Sequence, residues 1–212
     1  MPSLKLLQAA QMVQTAYSGS VPGAAVRYQG ADVTAVLHGD GTLYIPGTDS
    51  AADWIRFNLP TARVTGATFE VFRGRNAAKG VWFYGFLTFA ASLAQAMRAT
   101  RPKRIVGHSL GGAAAQILAI HFGIPALTFG SPKPCASKGK LIGESAVLNL
   151  THPRDGVPDY PFSGDARHIG NRIVLPATGS GFIHRVPHYM RYLQPELDAG
   201  RIKADWPVTR MA

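Results

Sequence analysis

The chain has 212 residues, 46% of them hydrophobic, and its 22 Lys and Arg against 12 Asp and Glu give a formal charge of +10. That is enough apolar material for one sizeable core, and no shift in composition divides it, so a single domain over residues 1–212 is expected. The lone Cys135 excludes an intramolecular disulfide framework and a multi-cysteine metal site. No apolar run reaches the roughly 18 residues of a bilayer span, and the scattered basic residues carry no nucleic-acid-binding signature. The expectation is a chain that neither crosses a membrane nor binds nucleic acid, its charge serving solubility or attraction to anionic surfaces.

The first 17 residues do not read as a signal peptide, because Gln8, Gln11 and Gln14 interrupt the apolar residues that follow Lys5. A cytoplasmic location is therefore favoured. Leu6, Ala10, Val13 and Tyr17 instead form a helical stripe after a Ser3 cap. Residues 24–29, 33–38 and 42–46 read as consecutive strands separated by Gly-containing turns, and residues 68–73 as another short strand. Residues 82–99 carry apolar side chains at helical spacing until Pro102 stops them. A strand at 104–107, a helix at 110–122 and a strand at 125–129 follow. Further strands are expected at 146–151 and 168–175, and a helix at 188–197. This strand–helix–strand alternation predicts an α/β fold with a mostly parallel central sheet flanked by helices.

The stretch "RIVGHSLGGAAAQILAIHFG" puts Ser109 in the pattern G-x-S-x-G, where a strand ends and a helix begins. Gly107 and Gly111 leave room for the two elements to approach, so the context fits a turn that holds a serine hydroxyl out as a nucleophile. Such a hydroxyl needs a base oriented by an acid. In this topology both follow the serine in the chain, which eliminates His38. His108 lies inside the turn and His121 on the helix leaving it. His152, His168, His184 and His188 remain as candidate bases. Asp155 stands just past the strand at 146–151, where groups gather at the carboxyl ends of parallel strands, with Asp159 as its rival.

Five segments in order resemble the class 3 lipase family of α/β-hydrolases, the fungal-type triacylglycerol lipases and their bacterial relatives. "YIPGTDSAADWIRFNL" is similar to the family's oxyanion loop and the Trp-bearing helix after it. "VWFYGFLTFAASL" is similar to its Gly-Phe helix, "IVGHSLGGAAAQILA" to its serine turn, "ALTFGSPKP" to the following strand, and "NLTHPRDGVPDYP" to the segment that holds its acid. The resemblance implies the α/β-hydrolase fold with few insertions and an acyl-enzyme mechanism. It gives Ser109 as nucleophile, Asp155 as acid, and Thr48 and Leu110 as oxyanion donors, with no metal and no cofactor. "RHIGNRIVLP" matches a structural His-x-Gly strand, so His168 is set aside. The base falls on His188 in "VPHYMRYL", with His184 as rival.

The chain departs from the family in having Phe83 where a histidine often precedes the Gly-Phe pair, and in a "DWIRFNL" segment one residue longer, which leaves Asp53 or Asn58 to hold the Thr48 hydroxyl. It is also shorter than typical secreted members. The implied activity is that of a carboxylic-ester hydrolase, either a triacylglycerol lipase or a carboxylesterase, acting on a lipid or small ester with transient contact to a lipid interface. A short amphipathic helix at residues 50–59 would cover the site. The alternatives are a phospholipase or acyltransferase with the same triad, or a degenerate relative that binds an acyl ligand or a partner. A zinc site on His184 and His188 is not expected, because Pro187 intervenes and no H-E-x-x-H is present.

Overall fold

The computed structural model describes residues 3–29, 34–48, 62–73, 79–97, 100–177 and 179–206. Leu4–Lys5 (β1) leads into helix Leu6–Ala16 (α1), followed by strands Ala24–Gln29 (β2), Thr34–His38 (β3) and Thr42–Ile45 (β4). Arg63–Thr65 (β5) and Val81–Phe83 (β6) precede helix Tyr84–Ala96 (α2). Arg104–His108 (β7), helix Leu110–Phe122 (α3) and Ala126–Phe129 (β8) form the centre. Val147–Thr151 (β9), Asn171–Val174 (β10), helix Val186–Asp198 (α4) and Asp205–Trp206 (β11) complete the chain.

Seven strands form one sheet in the order β10-β9-β8-β7-β4-β3-β2. From β10 to β4 every pairing is parallel, and only β3 is antiparallel to both of its neighbours. Crossovers through α2 and α3 join β4 to β7 and β7 to β8 and cover one face of the sheet, while α1, ahead of β2, and α4, after β10, cover the other. The sequence encodes the two faces by alternation. Leu43, Ile45, Ile105 and Ala126 point into the cluster beneath α2 and α3. Tyr44, Val106 and Leu127, the residues between or beside them, point into the cluster beneath α1 and α4. Helix α3 is buried from Leu110 to His121, which is why it is apolar nearly all round. The fold is thus an α/β sandwich around a mostly parallel sheet.

Three local expectations are corrected. Residues 68–73 form no strand. They make two 3-10 turns, Gly66–Thr68 and Glu70–Phe72, because the aromatic pair Phe69 and Phe72 recurs every three residues rather than every two. The helix expected from residue 82 starts at Tyr84, since Val81–Phe83 pairs with Arg63–Thr65 in an antiparallel ladder. Ser3 does not cap α1. Its hydroxyl donates to Asp205 at 2.8 Å, beside the β1–β11 pairing of Leu4 with Trp206. These two-residue strands are too short to carry a periodic signal. The helix expected at 50–59, with Asp53 and Asn58, lies outside the described residues.

Candidate active site

Ser109 connects β7 to α3 with φ 55° and ψ −128°, and it is the one non-glycine residue with positive φ among the described residues. Holding an L-residue there costs about 1–3 kcal/mol, which the surrounding packing must sustain. The glycines on either side make the turn sterically feasible. A Cβ on Gly107 would meet the Gly111 carbonyl oxygen at 2.4 Å, and a Cβ on Gly111 would meet that of Ile45 at 2.3 Å. Strand β4, strand β7 and helix α3 are therefore in backbone contact. Leu110 begins the helix, where a backbone N–H has no intrahelical acceptor.

Ser109 and Asp155 come together through a histidine, and that histidine is His184. The Ser109 hydroxyl donates to His184 Nε2 at 2.8 Å, and His184 Nδ1–H donates to Asp155 Oδ2 at 2.9 Å. This corrects the expectation for His188. His188 makes no hydrogen bond to either group, and its Nδ1 is buried with no partner among the described residues. The reason is local. Pro187 stands in the first turn of α4, so the helix begins at Val186 and carries His188 away within it. His184 lies on the preceding loop, whose Gly179 and Gly181 adopt φ of 82° and 79°. From that loop His184 reaches both Ser109 and Asp155, whereas the first turn of α4 brings Tyr189, not His188, to Asp155.

Asp155 lies in the turn after β9 and is fully buried. Its Oδ1 accepts from the Val157 N–H at 3.0 Å, and its Oδ2 also accepts from the Tyr189 hydroxyl at 2.7 Å. Burial, with Asp155 next to it, pushes the Tyr189 hydroxyl well above its ordinary pKa, so the phenol remains a donor. The rival Asp159 sits in the next turn, exposed and away from these groups. Thr48 follows Pro46 and Gly47 at the end of β4. A Cβ on Gly47 would touch the Ser109 Cβ at 2.7 Å, so this strand end abuts the serine. Thr48 Oγ1 is buried with no hydrogen-bond partner among the described residues.

Three further side chains at the site were not assigned from sequence. Tyr189 is one; Tyr17 and His108 are the others. Tyr17 and His108 line a cavity of about 450 Å³ together with His184 and Arg185. Their phenol and imidazole are separated by 91 positions in the chain, and no motif joins them. Tyr189 could have been suspected from its place one residue past His188 on an apolar helix face, where a buried hydroxyl must find a partner. Among the described residues no three His, Cys, Asp or Glu side chains group as metal ligands, and no helix is long and apolar enough to cross a membrane.

The electrostatics give an acid-side dependence of stability. Burial, with His184 close by, pushes His108 down to about 3. Burial, with Arg172 and Lys133 adding to it against a hydrogen bond to the Pro158 carbonyl, pushes His168 down to about 4. In the unfolded chain both titrate near the ordinary histidine value of about 6.5. Between those limits the unfolded state binds more protons, so stability falls as pH falls. For His108 the slope approaches about 1.4 kcal/mol per pH unit. The expected result is a melting temperature that declines steadily from pH 6.5 towards 4. His108→Gln should flatten part of that decline, as measured by thermal unfolding across the range.

No protein-family model matches the chain, and no curated protein matches it in sequence. Solved structures do match. Lip2 lipase from Yarrowia lipolytica superposes with a TM-score of 0.64 at 15% identity, covering 83% of this chain and 82% of that one. Lipase II from Rhizopus niveus gives 0.56 at 16% identity over 82% and 78%, and a triacylglycerol lipase from Penicillium expansum gives 0.52 at 16% identity over 94% and 88%. At such identities the likeness is one of fold. The chain therefore has the α/β-hydrolase fold in the form these lipases share.

Proposed function

We propose that the protein is a serine carboxylic-ester hydrolase of lipase or esterase type, working through an acyl-enzyme. The observation that carries the reading is the continuous hydrogen-bonded run from Ser109 through His184 to Asp155 at 2.8 and 2.9 Å, on a strained strand-to-helix turn. Ser109 Oγ attacks the acyl carbonyl carbon while His184 Nε2 takes its proton. The tetrahedral oxygen is held by the N–H groups of Leu110 and Thr48 and by the Thr48 hydroxyl. Collapse breaks the ester C–O bond, and the leaving alcohol takes the proton from His184. Water then attacks the acyl-enzyme with His184 again as base, which releases the acid and restores Ser109. Asp155 holds the imidazole in the required tautomer and stabilises the imidazolium.

The unpartnered Thr48 hydroxyl supports its part in this scheme. A buried donor without an acceptor costs free energy, and a substrate oxygen supplies that acceptor in the transition state. Thr48→Val keeps the volume and removes the donor. It is expected to lower kcat on p-nitrophenyl esters by about 10- to 1000-fold while KM changes little. An unchanged kcat would remove the Thr48 hydroxyl from the scheme. Phe182, 61% exposed with its ring centroid 6.3 Å from that of His184, supplies apolar surface at the rim, which favours esters presented by a lipid interface. The test of the whole reading is hydrolysis of p-nitrophenyl esters of increasing chain length together with labelling by a fluorophosphonate. Failure of both with folded protein would overturn it.

A further inference from the structure

Tyr17 and His108 take no part in the proton transfers just described, yet both are held tightly at the site. Tyr17 is the C-cap residue just past α1, and His108 is the last residue of β7. The Gly47 N–H donates to the Tyr17 hydroxyl oxygen at 2.8 Å. The Tyr17 hydroxyl lies 2.5 Å from His108 Nδ1, and His108 Nε2 lies 2.6 Å from the His184 carbonyl oxygen. Chemistry at the two ends fixes every proton between them. A carbonyl only accepts, so Nε2 carries the hydrogen. The neutral ring then has a lone pair at Nδ1, and the phenol donates to it. A peptide N–H only donates, so Gly47 takes the remaining lone pair on the phenol.

We propose that Tyr17 and His108 form a positioning bridge that sets the main chain of the general base against the oxyanion strand. The proposal rests on the reading of His184 as base and of the 47–48 segment as oxyanion donor. Asp155 fixes the His184 ring only at Nδ1, and the loop that carries His184 has no ladder of its own. The bond from His108 Nε2–H holds the main chain of that residue, and the phenol ties the same imidazole to Gly47, whose neighbour is Thr48. One rigid link thus spans the two halves of the site. Its neutrality also matters. The His108 ring centroid lies 4.9 Å from that of His184, so a cation there would oppose the imidazolium that forms during acyl transfer. Burial keeps His108 uncharged down to about 3, and the wiring stays the same wherever a histidine base can work. Among the described residues, the titratable groups facing His108 are His184 from the loop, Tyr17 from the end of α1 and Tyr189 from α4.

The experiment compares Tyr17→Phe, His108→Gln and His108→Leu with wild type in ester kinetics and in proton NMR of the His184 Nδ1–H that is shared with Asp155. Tyr17→Phe loses one oxygen and should fold. Its kcat is expected to fall by about 10- to 100-fold with KM held within about twofold, the signature of a misplaced base rather than a lost binding contact. His108→Gln retains an N–H for the His184 carbonyl and should recover much of the rate that His108→Leu loses. The Nδ1–H resonance should move and exchange faster in Tyr17→Phe and His108→Leu, less so in His108→Gln. A folded Tyr17→Phe with wild-type kcat and an unmoved resonance would overturn the bridge. So would a rate loss that tracks only a lowered melting temperature, with the resonance unmoved in the folded fraction. Should the wild type cleave no ester while its Nδ1–H resonance is present, the functional reading fails and the resonance still decides the bridge.

Discussion

Ser109→Ala is expected to lower kcat for ester hydrolysis by on the order of 10⁴- to 10⁶-fold and to abolish fluorophosphonate labelling, while the fold is retained. The substitution removes one oxygen from a fully buried position and leaves the strained backbone in place. It also leaves the His184–Asp155 pair intact, so only the nucleophile is missing. Residual rate above the uncatalysed reaction should persist, because donors at the oxyanion position and substrate binding remain. A companion variant separates strain from chemistry. Ser109→Gly should be equally inactive but should raise the melting temperature relative to Ser109→Ala, since glycine adopts φ near 55° without the Cβ penalty. Purified Ser109→Ala with wild-type turnover on any ester the protein cleaves would show that another group attacks the carbonyl.

Much of the fold was legible because its signals are local. The alternation of Leu43, Tyr44 and Ile45 between the two clusters, and of Ile105 and Val106, is a period-2 pattern that assigns faces residue by residue. The serine turn is legible for a steric reason: only glycine fits at 107 and 111 when backbone atoms lie within 2.4 Å of where a Cβ would be. What was not legible depends on contacts between distant residues. The β1–β11 pair joins residues 200 positions apart and is two residues long, so no local window contains it. Tyr17 reads as the last apolar residue of an amphipathic stripe, and nothing within α1 says that its hydroxyl meets His108. The choice between His184 and His188 failed at a boundary. Two histidines four residues apart differ by one turn if both are helical, and only the start of α4 decides which one remains on a loop. Pro187, at home in the first turn of a helix, was the local sign that His188 was already inside it.

That boundary yields the sharpest test of the site. His184→Ala is expected to reduce kcat by on the order of 10⁴-fold or more, since the serine proton then has no acceptor within reach and the developing positive charge no residence. His188→Ala should retain activity within a few-fold of wild type, because its imidazole bonds neither Asp155 nor Ser109. Asp155→Asn should resemble His184→Ala in size, because an amide at this position can present its N–H₂ to Nδ1, which turns the imidazole to the tautomer with its proton on Nε2 and blocks the serine. The opposite outcome, loss of activity in His188→Ala with His184→Ala spared, would require the 179–185 loop to withdraw and the first turn of α4 to unwind before catalysis. The Pro187 ring and the buried Val186 and Tyr189 side chains on either side of His188 resist that unwinding. The geometry of the resting site and the placement of these three residues therefore favour the same base.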